Sequence, residues 1–568
     1  MHIHDVLIVG AGPCGLAVAA RLREGTPSAT FTDDEHQRYH WIHKHGRRVN
    51  VQNHKTLINS KSTSPNTLSG SDVKKSVDEP DMLILDAEGN QWMTRWKHLF
   101  NRYGIEHLRS PMFFHVDPAD RDALLSYAYE LGQEKDLLEL PGCVGKEISK
   151  HRKKKKRNGA YGLGQSGPDI DERDRKDYFT PSTKLFDEHC DCVAKRYELG
   201  SDMIRKEKVV DIEHVDASDE PNSDDDSIVS VLSSDDDDTK VFRIRTDKDV
   251  HFARVVVLAV GPGNAPSIPS IAGLPTSTSH EGFCHSMHLT DFPAPHIQAK
   301  INTRQPTHML IIGGGLTSAQ LADLATKRGV SKVFILMRGG LKVKYFDMDL
   351  DWVAKFRNVN QAIFWSADTD EERYEMYTKA RNGGSMTPRY KKIVEGLVKS
   401  GKLELLLHTE LTSVKWDDAR KVWTDVKTSS GLEFPPIDYI VFATGVQTDV
   451  ETLPFLDTIR HQYPIKYVGG FPCLTDDLMW RDDVPLFASG RLAGLRLGPG
   501  APNLVGCRVG AERIAWNIND FLERMGTNSK GHEGIRGGQI YATDREEELE
   551  AYASGRTNKF DSLLNESE

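Results

Sequence analysis

The chain has 568 residues, with 73 Lys and Arg against 83 Asp and Glu, for a formal charge of −10. At about 100–200 residues per domain this length suggests roughly two to four units. The acidic balance argues against a dedicated nucleic-acid binder, which carries a basic face. The seven cysteines, irregularly spaced, make no disulfide framework, and the apolar runs fall far below the ~20 residues that cross a bilayer.

In chain order, Met1–Asp5 leads straight into the apolar run Val6–Val9. No signal peptide and a cytoplasmic location are therefore expected. Val6–Val9 predicts a buried strand and Leu16–Leu22 the apolar part of a helix. Between them stands Gly10-Ala11-Gly12-Pro13-Cys14-Gly15. In a strand–turn–helix unit the first glycine makes the turn, the second admits a pyrophosphate, and the third lets helix and strand pack closely. With Pro13 opening the helix, free N–H groups and the positive dipole end face the phosphates. The acid that holds a ribose hydroxyl, some ~20 residues further on, is expected at Asp33 or Asp34. His36, His40, His43 and His45 crowd the next segment without the spacing and partners of a metal site, so no metal is expected.

Two charged blocks follow. His151–Arg157 is a basic run inside a polar segment at about 145–177, and ten acidic residues lie between Asp216 and Asp238. Like charges repel and bury little apolar area, so both blocks (145–177 and 216–240) are expected to be disordered, as is a polar tail at 526–568. Lys153–Lys156 offers a nuclear address as the alternative location. Cys190-Asp191-Cys192 lacks the spacing of a disulfide reductase and reads as two ordinary thiols in an amphipathic segment. Trp352, Phe356 and Trp365 read as core.

Val255–Val260, Met309–Ile312, Val333–Met337 and Tyr439–Phe442 are continuous apolar runs, as in parallel strands buried on both faces. Met309–Ile312 enters a second cradle, Gly313-Gly314-Gly315-Leu316-Thr317-Ser318, with Ser318 in the third glycine position. Cofactor contacts are expected at Gly313, Gly315, Thr317 and Ser318. The following strand ends at Arg338, 25 residues after Gly313. An acid there would take the 2′-hydroxyl of NAD, whereas the planar guanidinium suits the 2′-phosphate of NADP. Lys342 and Lys344 would add charge. The chain is therefore expected to be α/β, with two dinucleotide-binding Rossmann-like domains holding FAD and NADPH. Near its end, Gly498, Gly500 and Pro502 form a Gly-rich lead-in to a helix starting near Asn503-Leu504.

The two fingerprints in this order, with Asp438-Tyr439-Ile440-Val441-Phe442-Ala443-Thr444-Gly445 late in the chain, resemble the class B flavin monooxygenases. The sequence is most similar to the N-hydroxylating lysine and ornithine type. Leu108-Arg109-Ser110-Pro111-Met112, His285-Ser286 and the closing run Ala488-Ser489-Gly490 through Asn503, Leu504, Arg508 and Glu512 share in the likeness, which covers about 3–525. It implies FAD contacts at Gly10, Gly12, Pro13, Gly15, the aromatic/His segment His40-Trp41, Thr444, Gly445, Gly490, Asn503 and Leu504. It also implies an NADPH domain (301–435) inserted into an FAD domain made of 1–300 and 436–525. The implied reaction uses NADPH and O2 through a flavin C4a-(hydro)peroxide to hydroxylate nitrogen in a small amine or amino acid. No nucleophilic Ser or Cys is required and no catalytic side chain is nominated. No nucleic-acid or membrane partner is expected. Two alternatives stand beside it: Baeyer–Villiger or sulfur oxygenation on the same scaffold, and a regulatory flavoprotein related to the oxidative stress-induced growth inhibitors.

Overall fold

The computed structural model describes residues 2–24, 79–140, 176–216 and 240–525, apart from 262, 264–265, 277–279, 354–356 and 448. Asp33, Asp34, His40, Trp41 and Phe356, nearly all of the two charged blocks, and the tail lie outside the described residues.

Among the described residues two large sheets carry the fold, beside two small two-stranded ones. The first has eight strands, and its parallel centre runs in the spatial order Val484–Ala488, Val250–Leu258, Ile3–Val9, Met82–Asp86 and Ile204–Lys206. Val6, Leu7, Ile8, Val255, Val256 and Val257 are fully buried, as both-face coverage of a parallel sheet requires. Val9 stands level with Leu85 on one side and Leu258 on the other, and Leu258 with Ala488. The carboxyl ends of four strands therefore meet along one edge.

On this sheet lie the helix Pro13–Arg23 and the closing helix Leu504–Arg524. Arg21 Nε bonds Glu512 Oε2 across them at 2.8 Å, with both side chains buried. The hairpin Val209–Asp216 and Lys240–Thr246 extends the sheet, with Asp216 paired to Lys240. The acidic block thus connects two paired residues and interrupts no ladder.

The second sheet is all parallel, in the order Leu403–Leu407, Lys332–Met337, His308–Ile312, Tyr439–Phe442 and Phe283–His285. Two of its strands, Phe283–His285 and Tyr439–Phe442, lie outside the stretch 301–435 expected for the inserted domain. Phe283–His285 and Tyr439–Phe442 hydrogen-bond to each other inside this sheet, because each buries its apolar side chains there and not in the first sheet. Two outer residues also depart from expectation. Trp365 is 43 % exposed, under the Arg513 guanidinium, and Trp352 is only half-buried. Among the described residues no helix is long and apolar enough to cross a membrane.

Candidate dinucleotide sites

The first cradle turns where Ile3–Val9 ends. Gly10 sits at φ +113°, and a Cβ on it would run into the Ala259 carbonyl. A Cβ on Gly15 would strike the Gly10 carbonyl. Gly12 differs, since nothing lies within 4 Å of where its Cβ would be. The outer glycines are thus required by the protein itself, and the middle one faces open space at the start of a helix with Pro13 in its first turn. This is the shape a pyrophosphate needs: free N–H groups, no side chain, and a helix dipole aimed outward.

Among the described residues an acid that the sequence reading did not single out, Asp86, lies beside this cradle. It ends the strand next to Ile3–Val9, and its Oδ2 accepts the Ala11 N–H at 2.8 Å. Its Oδ1 accepts the N–H groups of Glu88 and Gly89 at 2.8 and 3.2 Å. A readable signal existed in Met82-Leu83-Ile84-Leu85-Asp86, an apolar run closed by a carboxylate. A fixed offset of ~20 residues from the cradle could not reach it, because this strand begins some 70 residues after Gly12 in sequence.

Gly490 and Asn503-Leu504 lie in the closing segment. Gly490 follows the Val484–Ala488 strand at φ +65°, and its Cβ would sit 2.9 Å from Cys14 Sγ. Cys14 itself touches Cys507 on the closing helix, Sγ to Sγ 2.8 Å. Asn503, just before that helix, accepts from Arg381 Nη1 at 3.0 Å and donates to Asp347 Oδ2 at 3.3 Å. Asp347 Oδ1 in turn accepts from Arg109 Nη1 at 2.6 Å. Arg109 also donates to the carbonyls of Lys344, Tyr345, Phe346 and Ser385 and to the Ser385 hydroxyl. The residue picked out by Leu108-Arg109-Ser110 is therefore a clamp on two segments that follow the second cradle in the chain, at 344–347 and 385. Arg491 is half-buried beside them, with the Val446 carbonyl 3.5 Å away. Burial and then the like charge of Arg381 hold both Arg109 and Arg491 below the usual arginine range, with Asp347 opposing the shift at Arg109.

The second cradle repeats the turn. Gly313 is at φ +143°, and its Cβ would run into the Ala443 carbonyl and approach Ser318 Oγ at 2.9 Å. Ser318 is fully buried with an unpartnered hydroxyl, so a small side chain there lets the helix Leu316–Lys327 sit close to the strand. Gly315 caps that helix, followed by Thr317 in its first turn. Gly384 approaches Gly315 so closely that its own Cβ would lie 3.1 Å from the Gly315 Cα. Arg338 ends Lys332–Met337 and is exposed. Lys342 is engaged elsewhere, donating to the Asn382 carbonyl and side chain at 2.8 and 2.9 Å, and Lys344 pairs with Asp349 at 2.8 Å.

The late motif divides its work. Asp438 is buried, pairs with Lys300 at 2.5 Å and accepts the His308 N–H at 2.6 Å, fixing the start of the second-cradle strand. Thr444 donates to the Ser267 carbonyl, and Gly445, at φ +80°, accepts the Ser267 N–H at 3.0 Å. Both residues tie down the connection between the sheets. Cys190 and Cys192 lie two apart on the helix Thr183–Arg196, so they do not face each other. Burial pushes the Cys190 thiol well up.

Neither a protein-family model nor a curated protein matches this sequence. Solved structures do. An ornithine hydroxylase from Pseudomonas aeruginosa, in its reduced form, is 16% identical with a TM-score of 0.54, covering 92% of this chain and 100% of its own. An ornithine N-hydroxylase from Kutzneria sp. 744, with reduced FAD, NADP+ and L-ornithine, is 14% identical at TM-score 0.55 with the same coverage. A cadaverine monooxygenase from Erwinia amylovora, bound to FAD, is 15% identical at 0.51, covering 96% of this chain and 99% of its own. The likeness is one of fold, and it spans nearly the whole length of each of these structures.

Proposed function

We propose that this protein is an FAD- and NADPH-dependent monooxygenase that hydroxylates nitrogen in a small amine or amino acid. The observation that carries this reading is the pair of glycine turns at the carboxyl ends of parallel strands in two sheets, the first with open space at Gly12. In this reading FAD lies on Gly10, Gly12, Pro13 and Gly15, with Gly490, Asn503 and Leu504 closing the site. Asp86 takes the ribose role that sequence assigned to Asp33 or Asp34, because it ends the strand adjoining the cradle. NADPH lies on Gly313, Gly315, Thr317 and Ser318, with Arg338 on its 2′-phosphate. The dinucleotides supply hydride transfer and oxygen activation. The chain supplies the rest.

Glycine turns position the phosphates, helix ends offer N–H donors, and Arg491 places a partly desolvated cation where the first sheet's edge ends. A fixed positive charge beside a reacting centre favours developing negative charge without reorganisation cost. We divide the chain accordingly into an FAD unit from both ends and an NADPH unit between about 280 and 445. The test is a purified full-length protein assayed for bound flavin, for NADPH-driven O2 consumption, and for products across an amine and amino-acid panel. A product heavier by one oxygen, made from an amine, supports the reading. Bound flavin with NADPH oxidation but oxygenation only of thioethers or ketones moves it to the other subclass, and absence of both cofactors removes it.

A further inference from the structure

The closest approach of two reactive side chains in this region is between thiols. Cys14, the second residue of the Pro13–Arg23 helix, and Cys507, in the first turn of the closing helix, lie with their sulfurs 2.8 Å apart. Both are free. A disulfide needs sulfurs about 2.05 Å apart, so less than about 1 Å of further approach closes it. The two helices are also fastened further along by Arg21 and Glu512, which holds their backbones together beside the thiols. Gly490 leaves room for Cys14, since a Cβ there would stand 2.9 Å from its sulfur.

The pair is also chemically unequal. Cys14 is partly open while Cys507 is buried. Hydrogen bonding from Cys507 holds the Cys14 thiol below its ordinary range, and Cys507 is pushed well above its own. One partner is thus suited to react first and the other to resolve.

We propose that Cys14 and Cys507 are a peroxide-sensitive dithiol that oxidises to an intramolecular disulfide. The Cys14 thiolate attacks hydrogen peroxide: the S–O bond forms, the O–O bond breaks, and the departing hydroxide leaves as water with the thiol's proton. Cys507 sulfur then attacks the Cys14 sulfenic acid. The S–S bond forms, the S–O bond breaks, and the second oxygen leaves as water with the Cys507 proton. Two thiols lose two electrons and one peroxide becomes two waters. A consequence that rests on the proposed function is that the bridge pins the first cradle to the closing helix and slows FAD release.

The full-length protein, reduced with dithiothreitol and desalted, is treated with hydrogen peroxide and quenched with N-ethylmaleimide. Because the partners are 493 residues apart in sequence, the bridge closes nearly the whole chain into a loop. A faster band on a non-reducing gel is expected, reversed by dithiothreitol, with peptide mapping joining the Cys14 and Cys507 peptides. Cys507→Ser abolishes the band. Mapping of the wild type decides the matter even if a variant misfolds. Recovery of both cysteines alkylated, Cys14 as sulfinic acid beside alkylated Cys507, or a bridge to Cys190 overturns the proposal. Flavin release from bridged and reduced protein is a separate reading: a bridge with unchanged release removes only the consequence, and a protein without flavin leaves the mapping to decide the bridge.

Discussion

At the scale of single residues, Gly12 is the sharpest point. Its Cβ would meet no protein atom, so Gly12→Ala leaves the fold intact while placing a methyl where the pyrophosphate must approach. FAD should be lost on gel filtration while the circular dichroism spectrum is unchanged. Full flavin retention would remove the first cradle from its role. Asp86 makes a companion test. Asp86→Asn keeps an oxygen for the Ala11 N–H but loses the charge, and charge-assisted hydrogen bonds are worth about 1.5–3 kcal/mol. FAD affinity should weaken roughly tenfold or more, read by flavin fluorescence quenching, while Asp33→Asn and Asp34→Asn change nothing. A loss confined to Asp33→Asn or Asp34→Asn would return the role to that residue.

His189 shows how burial turns into pH dependence. It lies on Thr183–Arg196 with both ring nitrogens buried and unpartnered, and burial, then the Arg196 charge, lowers its pKa from 6.5 to about 3. Below about pH 6.5 the unfolded chain takes up a proton there that the folded chain refuses. Stability therefore falls as pH drops through that window, by up to ~1.4 kcal/mol per unit for one proton. Above it the group contributes nothing. His189→Leu should flatten the acid limb of urea stability between pH 6.5 and about 4 and leave stability near pH 8 equal or higher. An unchanged acid slope would shift the burden to His115, whose pKa burial also lowers.

At the scale of elements, the packing of Pro13–Arg23 on Leu504–Arg524 decides whether the first cradle is held. Arg21 and Glu512 meet there almost out of water. Removing one partner of a buried pair strands the other charge, at a cost of about 3–5 kcal/mol, whereas replacing both by apolar groups is often neutral. Arg21→Met should lower urea stability by that order, and Arg21→Met with Glu512→Leu should recover most of it. Equal losses in the single and double variants would mean that packing volume, and not the stranded carboxylate, sets the cost.

At the scale of the whole molecule, the two sheets are joined through Arg109, Asp347, Asn503 and Arg381. Nicotinamide choice belongs to this scale, because it needs both cradles loaded. Arg338 is exposed at its strand end while Lys342 and Lys344 are committed to other partners. A bidentate Arg–phosphate contact contributes about 1.5–3 kcal/mol. Arg338→Ala should thus raise the KM for NADPH roughly ten- to hundred-fold and leave NADH nearly unchanged, with Lys342→Ala doing less. Equal use of the two nucleotides by the wild type would take Arg338 out of this role.

Much of this molecule is written locally. Buried parallel strands appear as unbroken apolar runs, and Val6–Val9, Met309–Ile312, Val333–Met337 and Tyr439–Phe442 all lie within strands of the two sheets. The turns at Gly10 and Gly313 are legible because only glycine accepts their positive φ against a neighbouring carbonyl. Other features depend on which segments become neighbours. Asp86 is far from the cradle in sequence and adjacent in space, because burial and not chain order selects the strand beside Ile3–Val9. The same selection moves Phe283–His285 and Tyr439–Phe442 into the second sheet. Arg109 as a clamp on 344–347 exists only once segments more than 230 residues apart meet, and Cys14 meets Cys507 across 493 residues only once the two ends of the chain pack together. Periodicity and glycine chemistry act over a few residues and determine the cradles; the partners of those cradles are decided by side chains competing for one buried interface.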